Sequence, residues 1–158
     1  MSRGKQAPKR TILADPKYHS LAIAKFVNYL MQDGKKTVAQ AIVYDALEIA
    51  AKATKQEPVE VFEKVIETAK PQVEVRSKRV GGANYQVPMP VLSGRGNTLA
   101  YRWILAAARS RSGKSMRERL AAEFQDILEG VGGTMKKKDD VHRMAEANKA
   151  FAHFARRR

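Results

Sequence analysis

The chain contains no cysteine, which excludes disulfides, thiolate metal sites and cysteine nucleophiles. No run approaches the roughly 18 apolar residues of a membrane span, so no transmembrane helix is expected. Met1 to Arg10 holds Arg3, Lys5, Lys9 and Arg10 without an apolar segment and does not read as a secretory signal. Catalytic and cofactor motifs are missing too. Gly113-Lys114-Ser115 looks like the end of a phosphate-binding loop, but the glycine required five residues earlier is Ala108, inside a helical pattern. His142 and Glu146 have the spacing of two metal ligands on a helix, yet a zinc site needs at least three protein ligands and no further His or Cys cluster exists. Neither a Ser/His/Asp arrangement nor a paired acidic dyad stands out. Acidic residues are scarce overall: 16 Asp and Glu stand against 30 Lys and Arg.

What remains is a strongly basic chain of 158 residues with net charge +14, a length that fits one domain with a real core. A charge that large repels itself unless a polyanion neutralises it. Its distribution is uneven. Residues 1–36 carry net +6, residues 37–70 carry −2, residues 71–119 carry +8 and residues 120–158 carry +2. Charge segregated in this way reads as a nucleic-acid footprint built from an N-terminal arm and the middle of the chain.

Residues 1–18 hold Gly4, Pro8 and Pro16 without periodicity and are expected to form an extended basic arm, disordered without its partner. Residues 19–158 read as a single helical domain. Ile23, Phe26, Val27, Leu30 and Met31 have helical spacing, and Asp33-Gly34 ends that helix. A second helix runs from about Lys36 to Ala53, with Val38, Ile42, Ala46 and Ile49 as its central stripe and Val43, Leu47 and Ala50 widening it. Pro58 opens a third, with Glu60, Glu63 and Glu67 opposite its apolar face, and Pro71 stops it. Residues 72–91 alternate with period two around Gly81-Gly82, a β-hairpin. Ser93 to Asn97 reads as a loop, followed by a helix to about Arg111 with Leu99, Trp103 and Ala106 inward and Arg102 and Arg109 on one flank. Ser115 and Glu118 have capping-box spacing at the start of the next helix, which Gly130 ends. Gly132-Gly133 is expected to be a mobile loop, with Lys136 to Lys138 preceding a last helix from about Asp139. The fold class is therefore mainly α: about six helices with one protruding two-stranded β-ribbon. Arg76, Lys78 and Arg79 cluster beside the ribbon's glycine turn, the composition of a nucleic-acid finger.

Several stretches together resemble one family. They are Asp15-Pro16-Lys17-Tyr18, Asp33-Gly34-Lys35-Lys36, Arg102-Trp103, the ribbon sequence Val73-Glu74-Val75-Arg76-Ser77-Lys78-Arg79-Val80-Gly81-Gly82-Ala83-Asn84-Tyr85-Gln86-Val87-Pro88, and His142-Arg143-Met144-Ala145-Glu146-Ala147-Asn148-Lys149-Ala150-Phe151-Ala152-His153. They resemble the bacterial type of the small-subunit ribosomal protein seven family, over about residues 10–154. The resemblance implies a structural component that binds the 3′ major domain of small-subunit ribosomal RNA and nucleates head assembly. The ribbon would lie near the exit-site tRNA and the messenger path, with other head and platform proteins as neighbours and no membrane partner. It implies no enzyme activity, no cofactor and no metal, and a cytoplasmic ribosome, with an organellar one left open. RNA contact is carried onto Lys9, Arg10, Lys17, Lys35, Lys36, Arg76, Lys78, Arg79, Arg95, Lys114 and Met116, and by charge onto Arg102, Arg109, Arg111 and Arg143. Two departures stand out: only Arg95 remains of the family's arginine cluster before the fourth helix, and the usual Tyr-Arg-Trp ending is replaced by Phe154-Ala155-Arg156-Arg157-Arg158. The rival readings are an RNA-acting enzyme, which would need a pocket with a base, acid or cofactor loop, and a DNA-binding architectural protein, which would prefer duplex DNA to folded RNA.

Overall fold

The computed structural model describes Gly4, Pro8 and residues 10–156, apart from the side chains of Ser93 and Arg156; Lys9 and most of the expected arm lie outside the described residues. The elements run α1 (Leu21–Leu30), α2 (Lys36–Thr54), α3 (Pro58–Ala69), β1 (Val73–Val80), β2 (Ala83–Pro90), α4 (Ser93–Ser110), α5 (Met116–Leu128) and α6 (Gly132–Ala147). A 3-10 helix, η1 (Lys149–Arg156), follows. The mainly helical bundle with a protruding ribbon is the expected architecture.

The core closes around Phe26 of α1. Its ring meets Phe62 of α3 and Tyr101 of α4 edge-on, each at 5.5 Å, and Phe124 of α5 at 6.1 Å. Four helices thus converge on one aromatic cluster in the edge-to-face geometry that aromatic quadrupoles favour. Sequence periodicity located the apolar helices and part of each buried face. On α2 the buried residues are Ala39, Val43, Ala46, Leu47 and Ala50, while Val38 and Ile49 are exposed. This face packs against α3 and α5. On α4 the expected Leu99 is buried together with Ala100, Tyr101, Ile104, Leu105 and Ala108, whereas Trp103 is half-buried and Ala106 exposed.

Two helices begin earlier than their glycines suggest. Ser93 to Asn97 is the first turn of α4, with the N–H groups of Arg95 and Gly96 both donating to the Leu92 carbonyl at 2.9 Å. The expected mobile loop at Gly132-Gly133 is the first turn of α6, so Lys136 to Lys138 lie within that helix. The cause is tertiary. The buried Glu123 carboxylate of α5 accepts from the Thr134 N–H at 3.0 Å and its hydroxyl at 2.6 Å, anchoring the turn from outside. Gly133 is small because a Cβ there would lie 3.1 Å from the Ala107 Cβ of α4.

The ribbon is antiparallel, with Val80 opposite Ala83 and a two-residue turn in which Gly81 and Gly82 have φ of +59° and +89°. Positive φ at both positions is what a tight hairpin turn of this twist requires. Its base is held by the bundle. His142 of α6 accepts the Gln72 N–H at 3.3 Å, and Val87 is fully buried. Farther out, Tyr85 packs against Phe151 and Phe154 of η1, with ring centroids 5.1 and 5.2 Å away.

At the other end of the chain, residues 10–14 are exposed and Asp15 is buried. The Asp15 carboxylate accepts the N–H groups of Lys17 and Tyr18, each at 3.1 Å, and the Tyr44 hydroxyl at 2.7 Å. Asp15 to Tyr18 are therefore tied to the body, short of the residue 18 limit expected for an extended arm.

Candidate nucleic-acid interface

Because α4 starts at Ser93, Arg95 joins Arg102 and Arg109 on one helix at seven-residue intervals. Such intervals place side chains about 10 Å apart along the axis, with a drift of only ~20° per step. All three are exposed. The row links two further groups of cations.

At its start lies the ribbon base. Glu74 of β1 is 8% exposed and carries both Arg76, whose Nε donates to Oε1 at 2.7 Å, and Arg95, whose Nε donates to Oε2 at 3.2 Å. One nearly buried carboxylate thus aligns a cation of the ribbon with the first cation of the row. Arg79 is exposed beside the turn. Lys78 has an internal partner: its ammonium donates to the Phe154 carbonyl at 2.8 Å and fastens η1 to the ribbon.

At the far end the row opens on a cleft of about 370 Å³ between the α1–α2 loop, the end of α4 and the start of α5. Lys35, Arg109, Met116 and Arg119 line it over an apolar floor that includes Val38 and Ile42. Arg109 also donates to the Leu30 carbonyl at 3.3 Å, and Arg119 donates to the Arg111 carbonyl at 2.8 Å, shaping the α4–α5 loop. Lys36 is exposed nearby at the head of α2 and Lys114 on the loop. The capping box at Ser115 is present. Glu118 accepts the Ser115 N–H at 3.1 Å and its hydroxyl at 2.8 Å, hydrogen bonds that hold the Glu118 carboxyl below its usual pKa. That N–H is thereby occupied, so Lys114 offers its charge beside a helix start already capped.

Midway, the Arg102 guanidinium lies 6.0 Å from the ring centroid of Tyr29 on α1. Among the described residues, Lys35, Lys36, Arg79, Arg102 and Arg109 form no ion pair, which leaves their charge for an outside anion.

Other residues singled out from the sequence sit elsewhere. Arg111 turns inward. It donates to Glu123 Oε2 from Nε and Nη2 at 2.9 and 2.7 Å and also pairs with Asp126. Burial works against its charge, but the bonds to Asp126 and Glu123 outweigh that and its pKa is raised. Lys17 pairs with Glu48 and lies 5.3 and 5.1 Å from the Tyr18 and Tyr44 ring centroids. Arg143 is 80% exposed on α6, beside a groove of about 660 Å³ under the ribbon base. Arg10 is exposed ahead of the anchored Asp15. Sequence reasoning missed Arg119 and Tyr29, which occupy the same face, and it missed that Arg95 continues the row. The seven-residue spacing was the available signal, hidden by two glycines that read as a loop.

Among the described residues, no helix is long and apolar enough to cross a membrane, and no group of three or more His, Asp or Glu is placed to hold a metal ion. The family described as ribosomal protein S7p/S5e matches residues 2–149. Proteins named small ribosomal subunit protein uS7 are similar over almost their full length. That of Laribacter hongkongensis is 57% identical and that of Nitrosospira multiformis 56%, each over 154 residues that make up 98% of this chain and 99% of the relative. That of Marinobacter nauticus is 54% identical over the same shares. A family match across nearly the whole chain, on a helical bundle whose ribbon, α4 row and cleft gather cations, shows that the chain belongs to the ribosomal protein S7p/S5e family.

Proposed function

We propose that this chain binds the 3′ major domain of small-subunit ribosomal RNA and nucleates assembly of the subunit head. The family is a structural, non-enzymatic part of the ribosome. The observation that carries the finer reading is the exposed Arg95–Arg102–Arg109 row, which joins the ribbon base to the α1–α2 cleft in a chain of net charge +14. Phosphate contacts supply most of the affinity in such interfaces. The direct contacts are Lys35, Lys36, Arg79, Arg95, Arg102, Arg109 and Lys114, with Lys9 and Arg10 reaching RNA from the arm and Arg76 shared between Glu74 and RNA. Arg143 contacts RNA from α6. Lys17, Lys78, Arg111 and Met116 shape the surface: each spends its side chain on an internal partner or on the cleft wall. The protruding ribbon tip points past the primary site toward exit-site tRNA and messenger, and neighbouring head and platform proteins complete the surroundings of a ribosome in the cytoplasm.

The test is binding to an RNA fragment of that domain. Replacing Arg102 and Arg109 together by Ala removes two exposed charges and no buried side chain. A charged hydrogen bond to phosphate, discounted for exposure, contributes about 1 kcal/mol, so affinity should fall about thirtyfold while the melting temperature holds. Unchanged affinity would overturn the row as the interface. Duplex DNA bound as tightly as the RNA would overturn the ribosomal reading of the surface.

A further inference from the structure

We propose that Tyr29 is a stacking platform for an unpaired base of the bound RNA, with Lys25 and Arg102 supplying charge on either side. The inference rests on the RNA-binding reading above and names the chemistry of one position within it.

The described residues include every Phe, Tyr and Trp of the chain, and Tyr29 is the one that is exposed, at 38%. The other aromatics are buried or half-buried, as expected for side chains whose main contribution is burial. Tyr29 also packs against the core. Its ring centroid lies 5.6 Å from that of buried Tyr101, with the planes tilted by 54°. A ring backed by the core has a fixed orientation before any ligand arrives, so little freedom is lost on stacking. The charges around it complete the site. Arg102, the middle member of the α4 row, lies 6.0 Å from the ring centroid, at the outer reach of a cation–π contact. Lys25 is exposed one turn earlier on the same face of α1.

An exposed aromatic between cations suits single-stranded nucleic acid, where the base covers the ring and the neighbouring phosphates meet the charges. A duplex keeps its base faces stacked on one another, so the base on Tyr29 comes from a loop, bulge or junction. The middle of the interface then takes an unstacked nucleotide, with its neighbouring phosphates on Lys25 and Arg102.

The experiment uses the full chain and an RNA fragment of the 3′ major domain, with binding measured across a salt series. Tyr29→Leu should weaken binding about tenfold, within the range for one base–aromatic stack, and leave the salt dependence unchanged because no cation is removed. Tyr29→Phe should bind as the parent does. Arg102→Gln should lower both the affinity and the log–log salt slope, the latter by about 0.7, the share of one phosphate. Ultraviolet cross-linking should join Tyr29 to a nucleotide outside the paired regions, a readout that a purely structural Tyr29 would not give. Parent-like affinity of Tyr29→Leu without a cross-link, while Arg102→Gln still binds weakly, overturns the platform and spares the RNA-binding reading. So does a Tyr29→Phe variant as weak as Tyr29→Leu, since the hydroxyl would then be the contact. Failure of the parent chain to bind the RNA overturns both.

Discussion

Glu123 shows how much one residue can organise. It is 1% exposed, and it binds Arg111 through one oxygen and the first turn of α6 through the other. Replacing it by Ala leaves Arg111 to Asp126 alone and strips the Thr134 N–H of its acceptor. Removing one partner of a buried pair costs about 3–5 kcal/mol, and the partial exposure of Arg111 puts Glu123→Ala near the lower end of that range. Denaturant unfolding of the variant should show that loss, with α6 amides exchanging first. Tyr44 offers a test in pH. Burial first, then its hydrogen bond to Asp15, push the Tyr44 hydroxyl up to about 12. The folded chain then holds this proton more tightly than the unfolded chain, whose tyrosine titrates near ~10. The stabilisation is complete below pH ~10 and is lost as the pH rises toward about 12. Tyr44→Phe should be less stable than the parent by on the order of 1–2 kcal/mol at neutral pH, and the gap should close over that alkaline window in unfolding curves.

At the scale of elements, the ribbon depends on what lies beside it. Two strands are marginal alone in water. Here the base is fixed by Val87 and His142, and the outer half by η1 through Tyr85, Phe151, Phe154 and the bond from Lys78 to the Phe154 carbonyl. Tyr85→Ala should therefore raise hydrogen exchange in the outer halves of β1 and β2 and in η1, while changing the melting temperature little because the bundle core is untouched. Equal exchange in parent and variant would mean the turn alone holds the ribbon. The ribbon cations divide accordingly. Arg79 is exposed beside the turn, Arg76 pairs with Glu74, and Lys78 fastens η1. Replacing all three by Ala should keep helical content but loosen the tip, an effect that charge counting alone does not anticipate.

For the whole molecule, net charge +14 sets opposite responses to salt in the free and bound protein. Screening relieves self-repulsion, so the free chain should melt at a higher temperature as salt rises. Binding releases counterions from RNA, so affinity should fall steeply over the same range, by about 0.7 in log–log slope or more per phosphate neutralised. Deleting residues 1–12 removes Arg3, Lys5, Lys9 and Arg10 but keeps the Asp15 anchor. The expected result is an unchanged melting temperature, weaker RNA binding and a shallower salt slope. A lower melting temperature would mean that the first twelve residues pack on the body.

Local chemistry was enough to specify the helical class, the two-stranded ribbon and its glycine turn and the capping box at Ser115, and it pointed to a polyanionic partner. Each depends on neighbours in the chain: period two against period 3.6, a Gly-Gly pair, a Ser and a Glu three residues apart, a charge excess in two blocks. The inward face of α4, the true starts of α4 and α6 and the composition of the cation row were set by residues distant in sequence. Gly94 and Gly96 weaken a helix by local propensity, yet Leu92 and the ribbon base start one there. Gly132 and Gly133 read as a loop until Glu123, nine and ten residues earlier in the chain, supplies the anchor for the first turn and Ala107 sets how close α6 must come. Charge pointed to a polyanionic partner; which cations take an internal partner was decided by the tertiary structure, because Arg111, Lys78 and Lys17 meet theirs only in the folded chain.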